Sequence, residues 1–430
     1  MMQFGMEASQ PRYCLVARTR DHSRGSPRSF AAQKKLAQDD KLHINCGPIC
    51  DGCRTIGTLV ALVGLICARI FGRRENIQKS VEKRTQHGMP IDASAQGLLR
   101  DDFILPPLAT LNGRPLLSNQ GIPLNLEWVT QVRVNTSAVE RRAQTHVMRR
   151  TVKKDWQAAW LLRAITCMDL TTLSGDDTDE RVRRLCAKAR QPIQPELAKK
   201  LGIENLGIQV AAACVYHRFV ETARRALEGS GVRVAAVSTG FPAGLSPLSE
   251  RIAEIRSSVE AGAHEIDVVI TRALVFGGRW QELYDEIAAF KQASQPAHMK
   301  VILGAGDLLT LRNVARASFV AMMAGADFIK TSTGKEPTNA TLPVGFVMAR
   351  AIREYAQETG MAVGFKPAGG IRTAKQSMDW LALLKEELGV PWMKAELFRF
   401  GASGLLNDIE RQLEHHATGR YSADYRHPIA

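Results

Sequence analysis

Aromatic residues are scarce in this sequence, and their scarcity limits what its positive charge can mean. Phe, Trp and Tyr make up 6% of the 430 residues, while the formal net charge is +14. Nucleic-acid-binding surfaces commonly combine basic side chains with aromatic rings on which bases stack. No basic stretch here is interleaved with such rings, so we expect no nucleic-acid partner. The charge instead suits an enzyme that acts on small anions.

Cysteines are few and scattered, and no apolar run is long. The eight cysteines lack the regular spacing of a disulfide framework, and no secretory signal peptide is recognisable, so we expect reduced thiols and a cytoplasmic location. The longest apolar run, residues 55–68, has 14 residues, whereas a membrane-spanning helix needs about 20. We therefore expect no membrane association and keep a tether through this segment as the alternative.

Residues 1–123 differ from the rest and are interpreted as a low-order N-terminal extension. Their first thirty residues are rich in Arg and Ser and poor in acids, as in transit peptides. Cys46, Cys50 and Cys53 have the spacing of iron–sulfur ligands in radical S-adenosylmethionine enzymes, and His43 could complete a zinc site. They precede the first predicted core strand by more than 100 residues. We interpret them as incidental and expect no metal.

From residue 124 to residue 417 the chain alternates short apolar runs with helical stretches. This alternation indicates parallel strands joined by helices. Eight such units predict an α/β fold of the (β/α)8, or TIM barrel, type, followed by a flexible tail over residues 418–430. The predicted strands cover residues 164–171, 209–216, 232–239, 265–270, 299–306, 327–332, 362–369 and 397–403.

One connecting helix shows its signals in the stretch SPLSERIAEIRSSVEAGA. Ser246 is the predicted N-cap, Pro247 takes the first helical position, and Gly262 ends the helix. The helix leads into the next strand through the frame AGAHEID, which returns later as AGADFIK. Asp267 and Lys330 therefore occupy equivalent positions of two strands, and we expect both side chains in the barrel interior.

A second lysine, Lys366 in GFKPAGG, lies on the strand that follows the strand of Lys330. Two buried lysines on adjacent strands repel each other, and both burial and repulsion lower the pKa of an ammonium group. One lysine can then be a neutral amine at physiological pH. Such an amine attacks carbonyl carbons and forms a Schiff base, which allows the neighbouring carbon–carbon bond to break.

Glycine-rich turns follow the last three predicted strands. They are STGK at 332–335, PAGG at 367–370 and FGASG at 400–404. Loops after strands seven and eight of such barrels often bind phosphate through backbone N–H groups. Three turns at the same end of the barrel predict a phosphorylated substrate.

These residues together resemble the deoxyribose-phosphate aldolases, a family of class I, Schiff-base enzymes. The resemblance extends over residues 124–421 and includes TVKKDWQAAWLL, which is similar to the animal-type branch. It implies reversible cleavage of 2-deoxy-D-ribose 5-phosphate to acetaldehyde and D-glyceraldehyde 3-phosphate in deoxyribonucleoside catabolism. It implies no metal and no organic cofactor, and it is compatible with a homodimer. The motifs are DLTTLSGDDTD, STGFPAG, EIDVVI, DFIKTSTGK, GFKPAGGIR and LFRFGAS.

The resemblance also implies roles for individual residues. Lys330 matches the Schiff-base nucleophile, Lys366 the neighbour that lowers its pKa, and Asp267 the group that transfers protons together with Lys366 and a water. Asp169 and Cys214 match positions that shape the substrate end of the site. The positions that match the phosphate-binding residues are Gly334, Lys335, Gly369, Gly370, Gly401 and Ser403.

Three residues depart from the family pattern. Gly404 stands where a second hydroxyl is common, Asp307 where glutamate is usual, and Thr271 where asparagine is frequent. None is one of the three catalytic positions, so we expect altered affinity or stability rather than lost activity. A different phosphosugar substrate, or a barrel that has lost turnover, are the alternatives. A further hypothesis is that Tyr421 or Tyr425 folds over the site.

Overall fold

Most of the predicted N-terminal extension, residues 1–123, lies outside the residues that the structure describes. The predicted apolar segment at 55–68 and the cluster of Cys46, Cys50 and Cys53 lie outside the described residues. Within that part, no helix is long and apolar enough to cross a membrane. The computed structural model describes residues 91, 110–111, 114–149 and 152–428.

Eight strands form the core of the described residues. They are β1 (Met168–Thr171), β2 (Ala212–Tyr216), β3 (Arg233–Ser238), β4 (Glu265–Val269), β5 (His298–Ile302), β6 (Phe328–Lys330), β7 (Gly364–Lys366) and β8 (Phe400–Ala402). They form one parallel sheet in the order β7-β6-β5-β4-β3-β2-β1-β8. The predicted eight-stranded α/β barrel is confirmed.

The two ends of the sheet, β7 and β8, meet and close the barrel. Phe365 pairs with Phe398, and Ala368 pairs with Gly401, in parallel bridges. The approach of β7 to β6 is close as well, because a Cβ atom at Gly364 would lie 2.4 Å from the ring of Phe328. Only glycine fits at that position. The closure brings the ends of β6, β7 and β8 together at one face.

Helices connect the strands on the outside of the barrel. Two of them precede the barrel: α1 (Leu126–Gln131) and α2 (Thr136–Arg149). The third, α3 (Lys154–Thr166), leads into β1. The others are α4 (Asp179–Arg190), α5 (Pro195–Leu201), α6 (Val220–Ala226), α7 (Leu248–Glu260), α8 (Arg272–Phe276), α9 (Trp280–Ser294), α10 (Leu311–Met323), α11 (Leu342–Thr359), α12 (Ala374–Glu387) and α13 (Leu405–Thr418).

The first predicted strand was wrong in its first four residues. Residues 164–166 belong to α3, and Cys167 is the C-cap of that helix. A helix buried on most sides lacks the polar face that would mark its end, and α3 is buried from Ala158 to Ile165. Its apolar residues therefore continue into those of β1 without a boundary in the sequence.

The predicted start of α7 was also displaced by one residue. Pro247 is the N-cap residue, and Leu248 is the first helical residue. Pro247 has a ψ of 147°, which is extended, and a proline also disfavours helical geometry at the residue before it. Ser246 therefore does not cap the helix.

The C-terminal tail packs against α13 rather than over the barrel. Tyr421 stacks on His415 with ring centroids 4.2 Å apart, and Tyr425 is 84% exposed. His427 is fully buried, with its Nε2 atom 2.8 Å from Glu414 and its Nδ1 atom 3.4 Å from Glu410. In this structure these contacts attach the tail to the outer helix. The flexible tail and the covering tyrosine stay predictions.

Candidate active site

A cavity of about 690 Å³ opens at the carboxyl ends of the strands. This is the end of a (β/α)8 barrel at which active sites form. Lys330 lines the cavity, as do Thr171 at the end of β1 and the three residues that follow it. Turns after β6, β7 and β8 form the rest of its wall. The cavity can therefore hold a small substrate against one lysine and three glycine-rich turns.

Asp267 holds the two predicted lysines side by side beneath this cavity. Lys330 and Lys366 are register partners at the ends of β6 and β7. Both donate to the same carboxylate oxygen, Asp267 Oδ2, over 2.8 Å from Lys330 Nζ and 2.7 Å from Lys366 Nζ. All three side chains are buried, and only Lys330, which is 3% exposed, reaches the cavity. The structure thus brings the three predicted residues together.

A second layer of charged side chains lies below the first, and the sequence analysis missed it. Lys300 Nζ lies 2.9 Å from Asp267 Oδ1 and 2.6 Å from Glu265 Oε2. Arg399 donates to Glu265 over 2.6 Å and to Asp169 over 2.6 Å. The signal was a spacing of two: Glu265 precedes Asp267 by two residues on β4, and alternate residues of a strand share a face.

Asp169 belongs to this network and Cys214 lies on the opposite, apolar side of the barrel interior, so neither is at the cavity wall. Asp169 is fully buried and accepts hydrogen bonds from Lys366 and Arg399. Cys214 belongs to an apolar side of the barrel interior formed by β2 and β3. That side comprises Ala212, Cys214, Ala235 and Val237, with Leu173, Tyr216 and Phe241 packed against it. Neither predicted residue lines the cavity of this structure.

The pKa values separate Lys330 from the other two lysines. Burial lowers the pKa of Lys330; the Asp267 carboxylate opposes this, and the Lys366 cation lowers it further. Burial also acts to lower the pKa of Lys366, but Asp169 and Asp267 raise it above the ordinary value. The pKa of Lys300 is raised by Asp267 and Glu265 against the effect of burial. Only Lys330 is therefore shifted toward a neutral amine.

The balance of buried charges supports the same assignment. Three buried carboxylates lie in this cluster, and the pKa of each is lowered by its cationic neighbours against the effect of burial. The basic groups are four, so one must be neutral if the network is to carry no net charge. An uncompensated buried charge is costly. The network consists of Asp169, Glu265, Asp267, Lys300, Lys330, Lys366 and Arg399.

The cavity wall contains all six residues predicted to bind phosphate. These are Gly334, Lys335, Gly369, Gly370, Gly401 and Ser403. Arg372 lines the same cavity and was not predicted to bind phosphate, although it is the last residue of the GFKPAGGIR motif. Its cation adds to that of Lys335, so the wall attracts anions.

The three departures from the family pattern have different surroundings. Gly404 lines the cavity, and a Cβ atom there would meet no atom within 4 Å. Asp307 pairs with Arg272 across 3.3 Å. Thr271 donates from its backbone N–H and from its hydroxyl to the buried Glu286. Gly404 is the departure that changes the cavity wall.

No metal site is apparent in the described part of the chain. In residues 110–111, 114–149 and 152–428, and at residue 91, no group of three His, Cys, Asp or Glu side chains is placed to hold an ion. The predicted site consists of lysines paired with carboxylates.

Comparison with known proteins places the chain in a family. The model of the DeoC/LacD family aldolases matches residues 163–408. The chain is 57% identical over 314 residues to the Homo sapiens deoxyribose-phosphate aldolase, covering 73% of this chain and 99% of that protein. It is 58% identical over 313 residues to the Bos taurus deoxyribose-phosphate aldolase, covering 72% of this chain and 98% of the other.

A solved structure from Toxoplasma gondii ME49 has the same fold. It is 21% identical, with a TM-score of 0.52, over 62% of this chain and 97% of the other. The family model covers more than half of the present chain, and the human and bovine relatives match it over nearly their whole length. The paired lysines at the carboxyl ends of β6 and β7 thus stand in a chain that belongs to the DeoC/LacD family of aldolases.

Proposed function

We propose that the chain cleaves 2-deoxy-D-ribose 5-phosphate to acetaldehyde and D-glyceraldehyde 3-phosphate through a Schiff base on Lys330. Relatives at 57% and 58% identity are named deoxyribose-phosphate aldolases. The observation that carries the mechanism is the position of Lys330. Among the buried lysines of the described barrel, it alone reaches the cavity, and its pKa alone is lowered.

The reaction follows from a neutral amine at that position. Lys330 Nζ adds to the C1 aldehyde of the open-chain sugar, and loss of water gives a protonated imine. The C3 hydroxyl loses its proton, the C2–C3 bond breaks, and its electron pair moves into the imine to form an enamine. D-Glyceraldehyde 3-phosphate leaves. The enamine is protonated at C2, and water releases acetaldehyde and the free lysine.

Asp267 and Lys366 are placed to move the protons of these steps. Asp267 Oδ2 contacts the nitrogen atoms of both lysines, so a proton can pass between the reacting amine and the network. The raised pKa of Lys366 keeps this residue a cation when Lys330 is neutral. A water at the cavity floor would carry the proton between Asp267 and the substrate.

A direct assay tests the substrate. Purified protein is incubated with 2-deoxyribose 5-phosphate, and both products are quantified with coupled dehydrogenases. Ribose 5-phosphate and fructose 1,6-bisphosphate serve as comparison substrates. Turnover of another phosphosugar alone would mean that this chain is an aldolase of different specificity. A folded protein inactive on all three would mean that the barrel serves as a scaffold.

Gly404→Ser is expected to lower the KM for 2-deoxyribose 5-phosphate by about 2- to 10-fold, with little change in kcat. Gly404 has ordinary backbone angles of φ −83° and ψ −11°, and a Cβ atom fits there without contacts, so serine adds a hydroxyl to the phosphate-binding wall. One hydrogen bond is worth about 0.5–1.5 kcal/mol. Steady-state kinetics measure this, with unphosphorylated 2-deoxyribose as the control. An equal gain with both sugars would contradict a phosphate contact.

Deleting residues 419–430 is expected to leave kcat and KM unchanged, because both tail tyrosines lie away from the cavity. Stability should fall by about 1–3 kcal/mol, since the buried Glu410 loses its contact with His427. Kinetics and urea unfolding of the truncated and full chains measure the two effects. A large rise in KM on truncation would show that the tail does reach the substrate in solution.

We also propose a cytoplasmic location and a homodimer. The scattered cysteines support the first, and Cys167, Cys186 and Cys214 are buried free thiols. The second is supported only by the family resemblance.

Fractionating cells that express the full chain, beside a version that starts at residue 121, tests the location and the tether at 55–68. Light scattering on the purified protein tests the dimer.

A further inference from the structure

The loop after β6 is held by the carboxylate of Glu336. Its oxygens accept hydrogen bonds from the Thr333 N–H over 3.0 and 3.1 Å, from the Gly334 N–H over 3.1 Å and from Thr333 Oγ1 over 2.7 Å. The Lys335 N–H in turn donates to Thr333 Oγ1 over 3.1 Å. The loop therefore satisfies three consecutive backbone N–H groups with its own side chains.

The turns after β7 and β8 differ from this loop. Among the residues that the structure describes, the N–H groups of Gly370, Ser403 and Gly404 donate to no protein acceptor. All three residues line the cavity. An anion in the cavity thus meets backbone donors from these two turns, whereas the loop after β6 offers it chiefly the Lys335 ammonium group. Gly334, which was predicted to bind phosphate, has its N–H already engaged by Glu336.

Glu336 also connects its loop to the turn after β7. The Asn339 side chain donates to the Glu336 carbonyl over 2.8 Å. Asn339 packs closely on Gly369, since a Cβ atom at Gly369 would lie 2.7 Å from that side chain. Glu336 itself is half-buried and does not line the cavity. Its effect on an anion must therefore pass through Thr333, Gly334 and Lys335.

We propose that Glu336 is a positioning residue for the phosphate-binding wall. Its carboxylate accepts hydrogen bonds from the backbone N–H groups of Thr333 and Gly334, so these groups do not bind the phosphate. The Lys335 side chain is then the group of this loop that contacts the phosphate. The phosphate is then held by the Lys335 cation on one side and by the free N–H groups of the β7 and β8 turns on the other. This inference rests on the proposed function for the identity of the phosphorylated substrate.

Glu336→Ala is expected to raise the KM for 2-deoxyribose 5-phosphate about 10-fold, which corresponds to about 1.4 kcal/mol. Three donors lose their acceptor, the loop changes conformation, and Lys335 leaves its place at the wall. The kcat should stay within about 2-fold, because Lys330 is held by Asp267 and not by this loop. For unphosphorylated 2-deoxyribose, kcat/KM should be unchanged. Glu336→Gln, which keeps one acceptor oxygen, should give a smaller rise.

Two controls separate positioning from general damage. Glu358 is an exposed glutamate on α11, and Glu358→Ala should change neither KM nor melting temperature. Thr333→Val removes the hydroxyl that accepts a hydrogen bond from the Lys335 N–H and donates one to Glu336. Because the two residues act in one network, the double variant should lose less than the sum of the single variants.

Calorimetric titration with inorganic phosphate completes the experiment, because it requires no turnover. A dissociation constant about 10-fold higher in Glu336→Ala supports the proposal. An unchanged constant overturns it, and a lower one would mean that the carboxylate competes with phosphate instead. Equal losses with both sugars would also overturn it. A wild-type protein that binds phosphate but cleaves neither sugar would contradict the proposed function alone, and the phosphate constants would still decide the role of Glu336.

Discussion

Lys330→Ala should lower kcat for 2-deoxyribose 5-phosphate by at least about 10⁴-fold, because the variant has no amine at the cavity floor to form the imine. Lys366 cannot replace it, since it is buried beneath the cavity and held as a cation by Asp169 and Asp267. The remaining network has three carboxylates and three cations. The variant should therefore fold, and its loss of activity should be chemical.

Borohydride trapping measures this result directly. Protein is incubated with the sugar phosphate, reduced, digested and analysed for the peptide that carries the added mass. The wild-type chain should show a substrate-dependent adduct on the Lys330 peptide. Lys375→Ala, which removes an exposed lysine of α12, should trap as well as the wild type. An adduct that persists in Lys330→Ala on another lysine would remove Lys330 from the proposed role.

Lys366→Met is expected to reduce kcat by about 10²- to 10⁴-fold, the usual range for a group that takes part in proton transfer. Methionine fills a similar volume but has no charge. The network then holds three carboxylates, Lys300, Arg399 and Lys330, and it is neutral only if Lys330 is protonated. The variant thus favours the cationic form of the nucleophile.

The pH dependence of kcat/KM tests this account of Lys366. In the proposed mechanism activity needs neutral Lys330, so we expect activity to be lost as the pH falls below the pKa of that residue. In the wild type this pKa is lowered by burial and by Lys366. Without Lys366 the pKa rises, and the acidic limb of the profile should move to higher pH. A limb that stays in place while kcat falls would mean that Lys366 acts only in proton transfer.

The upper layer of the site could be predicted from sequence, because its residues lie in recognisable frames. Asp267 and Lys330 are equivalent in AGAHEID and AGADFIK, and equivalent residues of parallel strands face the same way. Glu265 could have been predicted from its spacing of two from Asp267, whereas Lys300 and Arg399 are each an isolated charge within an apolar run. Nothing in such a run says that charges on β4, β5 and β8 will meet across a barrel.

The end of α3 and the contacts of the C-terminal tail could not be predicted from the sequence for other reasons. The boundary between α3 and β1 was missed because the helix is buried from Ala158 to Ile165 and no glycine or proline separates it from the strand. The tail is attached by His427, whose partners Glu410 and Glu414 lie on the polar-looking helix α13. A short polar segment that ends a chain looks the same whether it is attached or free. Only the folded structure shows that α13 lies where His427 can contact Glu410 and Glu414.

The two sides of the barrel interior should differ in how they can evolve. On the charged side, changing any of the six residues other than Lys330 leaves a buried charge without its partner, so these residues should be retained together. On the apolar side, Ala212, Cys214, Ala235 and Val237 are small and uncharged, and each can change in size without disturbing an ion pair. The packing of the barrel interior should therefore vary mainly on β2 and β3, while the charged side stays constant.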